Sequence, residues 1–223
     1  MRIKPKNQQD VWDTIAESFS HTRKSPWQIV LDFIQIQPKP DLSIDLGCGN
    51  GRHSIPLALH SKQSLAVDFS KNLLQITKKQ LISKHITNTS LIQANLTSLP
   101  LKDNSVDMAL MIASLHSIPH KTKRQSTLKE LYRILKPQST ALLTVWNTNH
   151  KAYQTNPNRQ PSQDAIIYWR QHSHNEPRYY HLYTKDELIE DIKTSNLRIK
   201  TIEEKTLSKT TQNDNIIAVL SKD

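Results

Sequence analysis

Asp45, Gly47, Gly49 and Gly51 stand at alternate positions of one short stretch, Asp45-Leu46-Gly47-Cys48-Gly49-Asn50-Gly51. Those three glycines are all the chain has, where 223 residues of ordinary composition would carry roughly fifteen. Glycine is required where φ must be positive, or where backbone must approach a ligand with no Cβ in the way. The apolar run Leu42-Ser43-Ile44 before the loop reads as a buried strand, and the residues after it read as a helix. Strand, glycine loop and helix predict a nucleotide-binding turn. A dinucleotide fingerprint would place glycine at position 52, where this chain has Arg52. Asp68 ends the next predicted strand, where a carboxylate can accept both hydroxyls of a ribose. Asn95 ends the one after, where a side-chain carbonyl can accept an adenine amino group, and Leu96 follows with a backbone N–H for a ring nitrogen. His172 and His174 lack a third ligand at recognisable spacing, so no metal site is expected.

The elements that must hold these residues follow from periodicity. Val11, Trp12, Ile15 and Phe19 predict an amphipathic helix over 7–20. Pro26 breaks the chain and is expected at the first turn of a second helix, lined by Trp27, Val30, Leu31 and Ile34 and ending before Pro38. A strand to Asp45 precedes the loop, and a helix over about 53–62 follows it. Next come a strand at Leu65-Ala66-Val67, a helix over about 71–84 capped by Ser70, and strands at about 89–94 and 106–113. A basic helix carries Leu128, Leu131, Tyr132 and Leu135, and a fifth strand is Ala141–Val145. Five alternations of strand and helix predict an α/β fold, a Rossmann-like parallel sheet with helices on both faces. Residues 147–183 are polar and proline-bearing and read as a cap insertion. Thr184-Lys185-Asp186-Glu187 is a capping-box start. Strand-like stretches at about 197–203 and 215–221 predict an antiparallel terminal hairpin on the sheet edge. One domain over 1–223 is expected, with 1–38 as an N-terminal helical segment.

Composition narrows the setting. The single cysteine, Cys48, allows no internal disulfide, which suits a reducing compartment. No apolar run approaches the ~18 residues of a membrane span, and the basic N-terminus has no apolar stretch behind it, so neither membrane nor signal peptide is expected and the cytoplasm is the simplest location. Thirty Lys and Arg against twenty Asp and Glu give a net charge of +10, a balance that favours polyanions. Between 121 and 136, Lys121, Lys123, Arg124, Lys129, Arg133 and Lys136 face Glu130 alone, a stretch expected to follow nucleic-acid phosphates. The aromatics avoid the middle of the chain: from 41 to 145 there are only Phe69 and Tyr132. Trp169, Tyr179, Tyr180 and Tyr183 lie in a polar, Arg-bearing segment, a pattern that stacks unpaired bases.

The glycine loop, Asp68 and Asn95 together resemble the class I S-adenosylmethionine-dependent methyltransferases over residues 40–146. Asn95 stands where an aspartate is common, and Gln138-Ser139 replaces the usual glycine pair after Leu135-Lys136-Pro137. The outer segments are similar to a narrower group. Val11–Ala16, Phe19–Arg23 with Pro26-Trp27, Ile112–His116, Thr144-Val145-Trp146 and above all Arg178-Tyr179-Tyr180-His181-Leu182-Tyr183 look like the methyltransferases that esterify 5-carboxymethyluridine at the tRNA wobble position, a domain also fused to AlkB-like hydroxylases. The resemblance implies S-adenosylmethionine as cofactor, Ile112 in its site, the tRNA anticodon stem-loop as substrate, and a small zinc-binding activator protein as partner. That partner is expected on the third strand, Ser90-Leu91-Ile92, an open edge.

A carboxylate acceptor, with a pKa near 4, is already ionised at neutral pH and needs orientation rather than a general base (~4 is its ordinary value). Arg23 and Arg178 are expected to hold it, His116 to face the transferred methyl, and Tyr179 or Tyr180 to stack on the uracil. Each also has a plain structural reading: Arg23 as a tie for the N-terminal helix, Arg178 as a solvated cap residue, His116 as a packed loop histidine. Two other functions stay open, a quinone or carboxylic acid methyltransferase, which has no need of +10, and a cofactor-binding subunit without catalysis.

Overall fold

The computed structural model describes residues 7–156, 160, 162–171, 174–207 and 213–223. His172 and the basic residues 1–6 lie outside them. Two helices, α1 (Gln8–His21) and α2 (Gln28–Ile36), lead into β1 (Leu42–Leu46), α3 (Ser54–His60), β2 (Gln63–Asp68), α4 (Lys71–Ser83), β3 (Thr89–Gln93), β4 (Val106–Ile112), α5 (Lys121–Ile134) and β5 (Leu135–Trp146). Then follow α6 (Lys151–Gln154), β6 (Asp164–Trp169), β7 (Glu176–His181), α7 (Lys185–Lys193), β8 (Arg198–Lys205) and β9 (Asn215–Ser221).

Seven strands form one sheet in the order β3-β2-β1-β4-β5-β9-β8, parallel from β3 to β5 and antiparallel where β9 slots between β5 and β8. The chain runs outward from β1 in one direction and from β4 in the other, so the order reverses between them. Ligands of open α/β sheets bind at the carboxyl ends of strands at that switch point. The glycine loop leaves β1 there, and Ala113–Ser117 leave β4 beside it. Strands buried on both faces need continuous apolar runs; Ile44, Leu46, Val106, Leu110, Met111 and Leu143 are all fully buried.

Two expectations change. Pro26 is not in the second helix: Trp27 is its N-cap, and Pro26 precedes that. β5 begins at Leu135 rather than Ala141, because Leu135 leaves α5 in an extended conformation and pairs with Val106 across a register shift. Within the cap insertion, β6 and β7 pair as a two-stranded antiparallel sheet of their own. The loss of glycine at 138 is absorbed in place: Gln138 takes φ of 66°, and its N–H donates to the Lys222 carbonyl at 2.6 Å.

Helix α1 is held between α4 and the hairpin. Trp12, Ile15 and Ala16 pack with Leu73 and Ile76 of α4 and with Ala165, Trp169, Tyr180 and Leu182 of the cap. Polar latches fix the register. Ser70 accepts the Leu73 N–H as N-cap of α4 and donates to Asp13, which also accepts the Asn72 N–H. Gln8 accepts the Tyr179 N–H at 2.8 Å, and the Trp169 indole donates to Ser18 at 2.7 Å. The far side of the hairpin is tied to α7 by His181, whose ring nitrogens meet Asp164 and Glu187, both at 2.8 Å.

Burial works against a charge on His181, but hydrogen bonds to the two carboxylates outweigh it and raise its pKa above the ordinary value. A histidine that gains partners on folding stabilises fully below its unfolded pKa, about 6.5, and loses that contribution as pH rises through the higher folded value. The wild-type melting temperature is therefore expected to fall from pH 6.5 to 8.5 by more than that of His181→Gln. Equal slopes in differential scanning fluorimetry would show that the imidazolium does not brace the hairpin.

The basic stretch is less available than its composition suggests. Arg124 is buried, its Nε donating to the Tyr183 hydroxyl at 2.9 Å, while Arg133 pairs with Glu130 and Asp103, and Lys136 with Asp107. Lys121, Lys123 and Lys129 remain exposed.

Candidate active site

Two adjoining cavities open at the switch point and share Trp12, Phe19, Arg52 and Ala113 as common wall. The first lies along the glycine loop and is lined by Gly47, Gly49, Asp68, Asn95, Leu96 and Ile112, six of the residues expected to bind cofactor. The other two, Asp45 at the end of β1 and Gly51 in the loop, are not part of that lining. Asp45 is 1% exposed and accepts the Ser54 hydroxyl at 2.6 Å. Burial pushes its carboxyl up to about 7, against the Ser54 bond and with Asp68 adding to the rise. It braces α3 against β1.

The glycines have separate reasons. At Gly47 (φ 75°) a Cβ would come within 2.4 Å of the Ser114 Cβ, and at Gly51 (φ 83°) within 2.7 Å of the Thr77 methyl. Both leave room for neighbouring protein rather than for ligand. Gly49 has only Phe19 opposite, at 3.7 Å, so its own demand is the positive φ.

Asp68 is shaped for a diol. One carboxylate oxygen accepts the Gly49 N–H and the other the Ser70 N–H, both at 2.9 Å. Each oxygen keeps a second lone-pair direction, the number two hydroxyls need. Asn95 does not fit its expected part in the same way. Its side-chain oxygen accepts both the N–H and the hydroxyl of Thr97, at 3.1 and 3.0 Å, so an adenine amino group would find both acceptor positions engaged. Leu96, Phe69, Leu73 and Ile112 give that end an apolar lining.

The second cavity, about 610 Å³, brings together Arg23, His116 and Arg178 from the turn after α1, the turn after β4 and β7. His116 is 1% exposed, and its Nδ1 accepts the Trp146 N–H at 3.2 Å. Burial above all, then His150, His181 and Arg178, holds its pKa well below the ordinary value. The ring is neutral with its proton on Nε2, a hydrogen-bond donor.

Arg178 is only 6% exposed, which rules out a solvated cap residue. Its guanidinium lies 4.8 Å from the Trp169 ring, 5.1 Å from Tyr180 and 5.8 Å from Trp12. Nη1 donates to the Tyr180 hydroxyl at 2.7 Å, Nε has no partner, and among the described residues no carboxylate pairs with it. A buried unpaired charge costs several kcal/mol, of which cation–π contacts return ~0.5–2 kcal/mol each. Arg23 lies over Phe19 at 5.3 Å, and its pKa is lowered chiefly by burial, against a pull from Tyr180, with Arg178 adding the least. Asn50 of the glycine loop donates to the Arg23 carbonyl at 2.8 Å, so the cofactor loop sets the position of an acceptor-side arginine.

Tyr179 is elsewhere. Successive strand residues face opposite ways, and its hydroxyl donates to Asp164 at 2.6 Å on the far face of the hairpin. Tyr180 is the tyrosine at the cavity, stacked on Trp146 at 4.5 Å, with His150 parallel to Trp146 at 3.9 Å. Asn50, Arg52, Trp146, His150 and Tyr180 are site residues without a predicted role or with an unresolved one. Strand alternation would have separated Tyr180 from Tyr179 had β7 been recognised as a strand.

A family model described as a methyltransferase domain matches residues 44–143, the span from β1 to β5. The chain carries a methyltransferase domain. Its relatives agree with the narrower resemblance. It is 27% identical to the tRNA (carboxymethyluridine(34)-5-O)-methyltransferase of Schizosaccharomyces pombe, over 83% of this chain and 86% of that one. It is 29% identical to the tRNA (carboxymethyluridine(34)-5-O)-methyltransferase ALKBH8 of Mus musculus over 66% of this chain, and spans 21% of that longer protein. Among solved structures, a SAM-dependent methyltransferase from Methanosarcina mazei superposes with a TM-score of 0.74 at 22% identity, covering 89% of this chain and 98% of that one. A chain from the complex between the Haloferax volcanii Trm112 methyltransferase activator and a putative methyltransferase superposes with a TM-score of 0.71 at 16% identity, covering 96% and 97%. The methyltransferase domain thus has the Rossmann-like class I fold, and S-adenosylmethionine is the cofactor that goes with it. Among the described residues no helix is long and apolar enough to cross a membrane, and no cluster of ligating side chains is placed to hold a metal.

Proposed function

We propose that the chain methylates a carboxylate, the 5-carboxymethyl group of wobble uridine in tRNA, to its methyl ester. One observation carries this reading: Arg178, buried in an aromatic cage with no carboxylate partner among the described residues, in the cavity that adjoins the glycine-loop cavity. A carboxylate is the planar anion that a guanidinium matches in bidentate fashion. The names of the relatives support the same acceptor.

When bound, S-adenosylmethionine supplies an electrophilic methyl group on sulfur. The residues of this chain do the rest. Asp68 holds the ribose hydroxyls and Leu96 with Ile112 the adenine end. Arg23 and Arg178 hold and orient the acceptor carboxylate, and the Nε2–H of His116 donates to it. No proton has to be removed, so a histidine held neutral as a donor suits the reaction, where a general base would not be needed. Trp12, Phe19, Trp146 and Tyr180 exclude water. Exposed lysines of α5 and the overall charge of +10 attract the tRNA phosphates.

A small zinc-binding activator of the kind named Trm112 adds a strand to β3, the open edge of the sheet, where Ser90 and Gln93 are exposed. The enzyme works in the cytoplasm, where Cys48 stays reduced. Incubation of the protein and activator with tRNA bearing 5-carboxymethyluridine, followed by nucleoside mass spectrometry, is expected to convert the free acid to its methyl ester. Persistence of the free acid, with methylation of a small carboxylic acid or quinone instead, would sink this reading in favour of a metabolite enzyme.

A further inference from the structure

Arg52 follows the last glycine of the loop and lines both cavities, whereas Arg23 and Arg178 line only the second. Its guanidinium lies over Trp27 at 5.0 Å, and among the described residues no carboxylate pairs with it. Asp45, the acid that acts on it, lies at the end of β1 and is engaged with Ser54. Burial above all, and then repulsion from Arg23, lower the pKa of Arg52 to about 10, which still leaves it charged at neutral pH. The next residue, His53, lines the same cavity and is 4% exposed, with no hydrogen-bond partner for either ring nitrogen among the described residues. Burial, and then the charge of Arg52, hold that histidine well below its ordinary pKa, so it is neutral.

Around Arg52 the first cavity therefore presents one positive charge that no carboxylate of the described residues pairs with. Elsewhere in the same lining, Asp68 and Leu96 suit a nucleoside. A ligand that is nucleoside at one end and amino acid at the other brings a carboxylate to that charge. We infer that Arg52 is the counter-ion of the α-carboxylate of the cofactor, which leaves Arg23 and Arg178 for the carboxylate of the acceptor. This assignment rests on the methyl-transfer reading. It accounts for three arginines in one depression by two anionic groups, one from each substrate. It also gives Arg52 a task that a glycine, the residue of a dinucleotide loop, would not perform.

The test compares two ligands that share a nucleoside and thioether but differ in the amino-acid end, S-adenosylhomocysteine and 5′-methylthioadenosine. Calorimetry is expected to show tighter binding of S-adenosylhomocysteine to the wild type. Arg52→Ala should weaken that ligand by about 10- to 100-fold and leave 5′-methylthioadenosine within about two-fold, so that the preference collapses. Arg52→Lys should keep part of the preference, and Arg178→Ala all of it. Unchanged affinity of Arg52→Ala for 5′-methylthioadenosine shows that its site is folded; if that variant binds neither ligand, Arg52→Gln is read in its place. An Arg52 variant that keeps the wild-type preference overturns the assignment with the cofactor reading intact. Loss of the preference in Arg23→Ala alone also overturns it, by moving the carboxylate to Arg23. A wild type that binds neither ligand overturns the methyl-transfer reading itself.

Discussion

Arg178→Ala is expected to lower kcat/KM for a carboxylate acceptor by about 10²- to 10³-fold and to leave S-adenosylhomocysteine affinity within about two-fold. The magnitude follows from burial. Truncating one partner of a desolvated, hydrogen-bonded charge pair costs ~2–5 kcal/mol, against ~0–1 kcal/mol at an exposed surface, and Arg178 is 6% exposed. The split follows from geometry, since Arg178 lines the acceptor cavity and not the one along the glycine loop. Arg178→Lys should recover little, because an ammonium cannot make the parallel pair of bonds that a carboxylate accepts. Steady-state kinetics with the tRNA acceptor, beside calorimetry with S-adenosylhomocysteine, measures both halves. Wild-type turnover in Arg178→Ala would remove this arginine from the site. The free protein provides a second readout: without ligand, an unpaired buried cation is a cost, so the alanine variant should melt no lower than a Trp169→Ala variant that opens the cage.

Asp68→Ala is expected to weaken S-adenosylhomocysteine binding by at least about 10²-fold, the loss of two hydrogen bonds to a charged acceptor at ~1.5–3 kcal/mol each. Asp68→Asn tests the same point with the shape kept. The interaction has a pH signature. Burial, opposed by the Ser70 and Gly49 N–H bonds, raises the Asp68 carboxyl to about 6. An acid with a folded pKa above its unfolded value of about 3.9 binds its proton more tightly when folded. The unliganded fold therefore gives up stability as pH rises from there through about 6, and hydroxyls that donate to the carboxylate restore it. Cofactor affinity should accordingly fall as pH drops below about 6, and Asp68→Asn should flatten that dependence. Calorimetry at pH 5 and pH 7.5 decides, and a pH-independent wild-type affinity would reject the ribose role.

How far the site was legible depends on whether its chemistry is local. The glycine loop, the Ser70 cap and the Thr184 cap all act on residues within a few positions, and the structure finds Ser70 accepting from Leu73 and Thr184 from Glu187, as their spacing predicts. The segment 147–183 was harder, because a two-stranded hairpin with one face on α1 and the other on α7 carries no alternation of apolar and polar residues. That is why Tyr179 and Tyr180 were indistinguishable beforehand. Pairing Ile167 with Arg178 and Ala165 with Tyr180 sends Tyr180 to the cavity and Tyr179 to Asp164. The basic stretch misled for a related reason. Counting charges gives six cations, but Arg124, Arg133 and Lys136 spend theirs inside the protein, on partners 29 to 59 positions away or on the neighbouring Glu130.

By itself the sequence determined that this is an α/β chain with a nucleotide loop after its first strand, since strand periodicity, capping residues and glycine at positive φ are properties of short segments. It also placed an acid at the end of the second strand and restricted the cofactor by withholding glycine from position 52. Only the tertiary structure decided which cations lack counter-ions. Whether Arg23, Arg52 and Arg178 meet a carboxylate is settled by what the turn after α1, the glycine loop and β7 bring within 4 Å of them, and no spacing along the chain records that. The same holds for His116, a donor here because the Trp146 N–H occupies its Nδ1 and burial keeps it neutral. Charge is written in the sequence, but its compensation is a property of the fold.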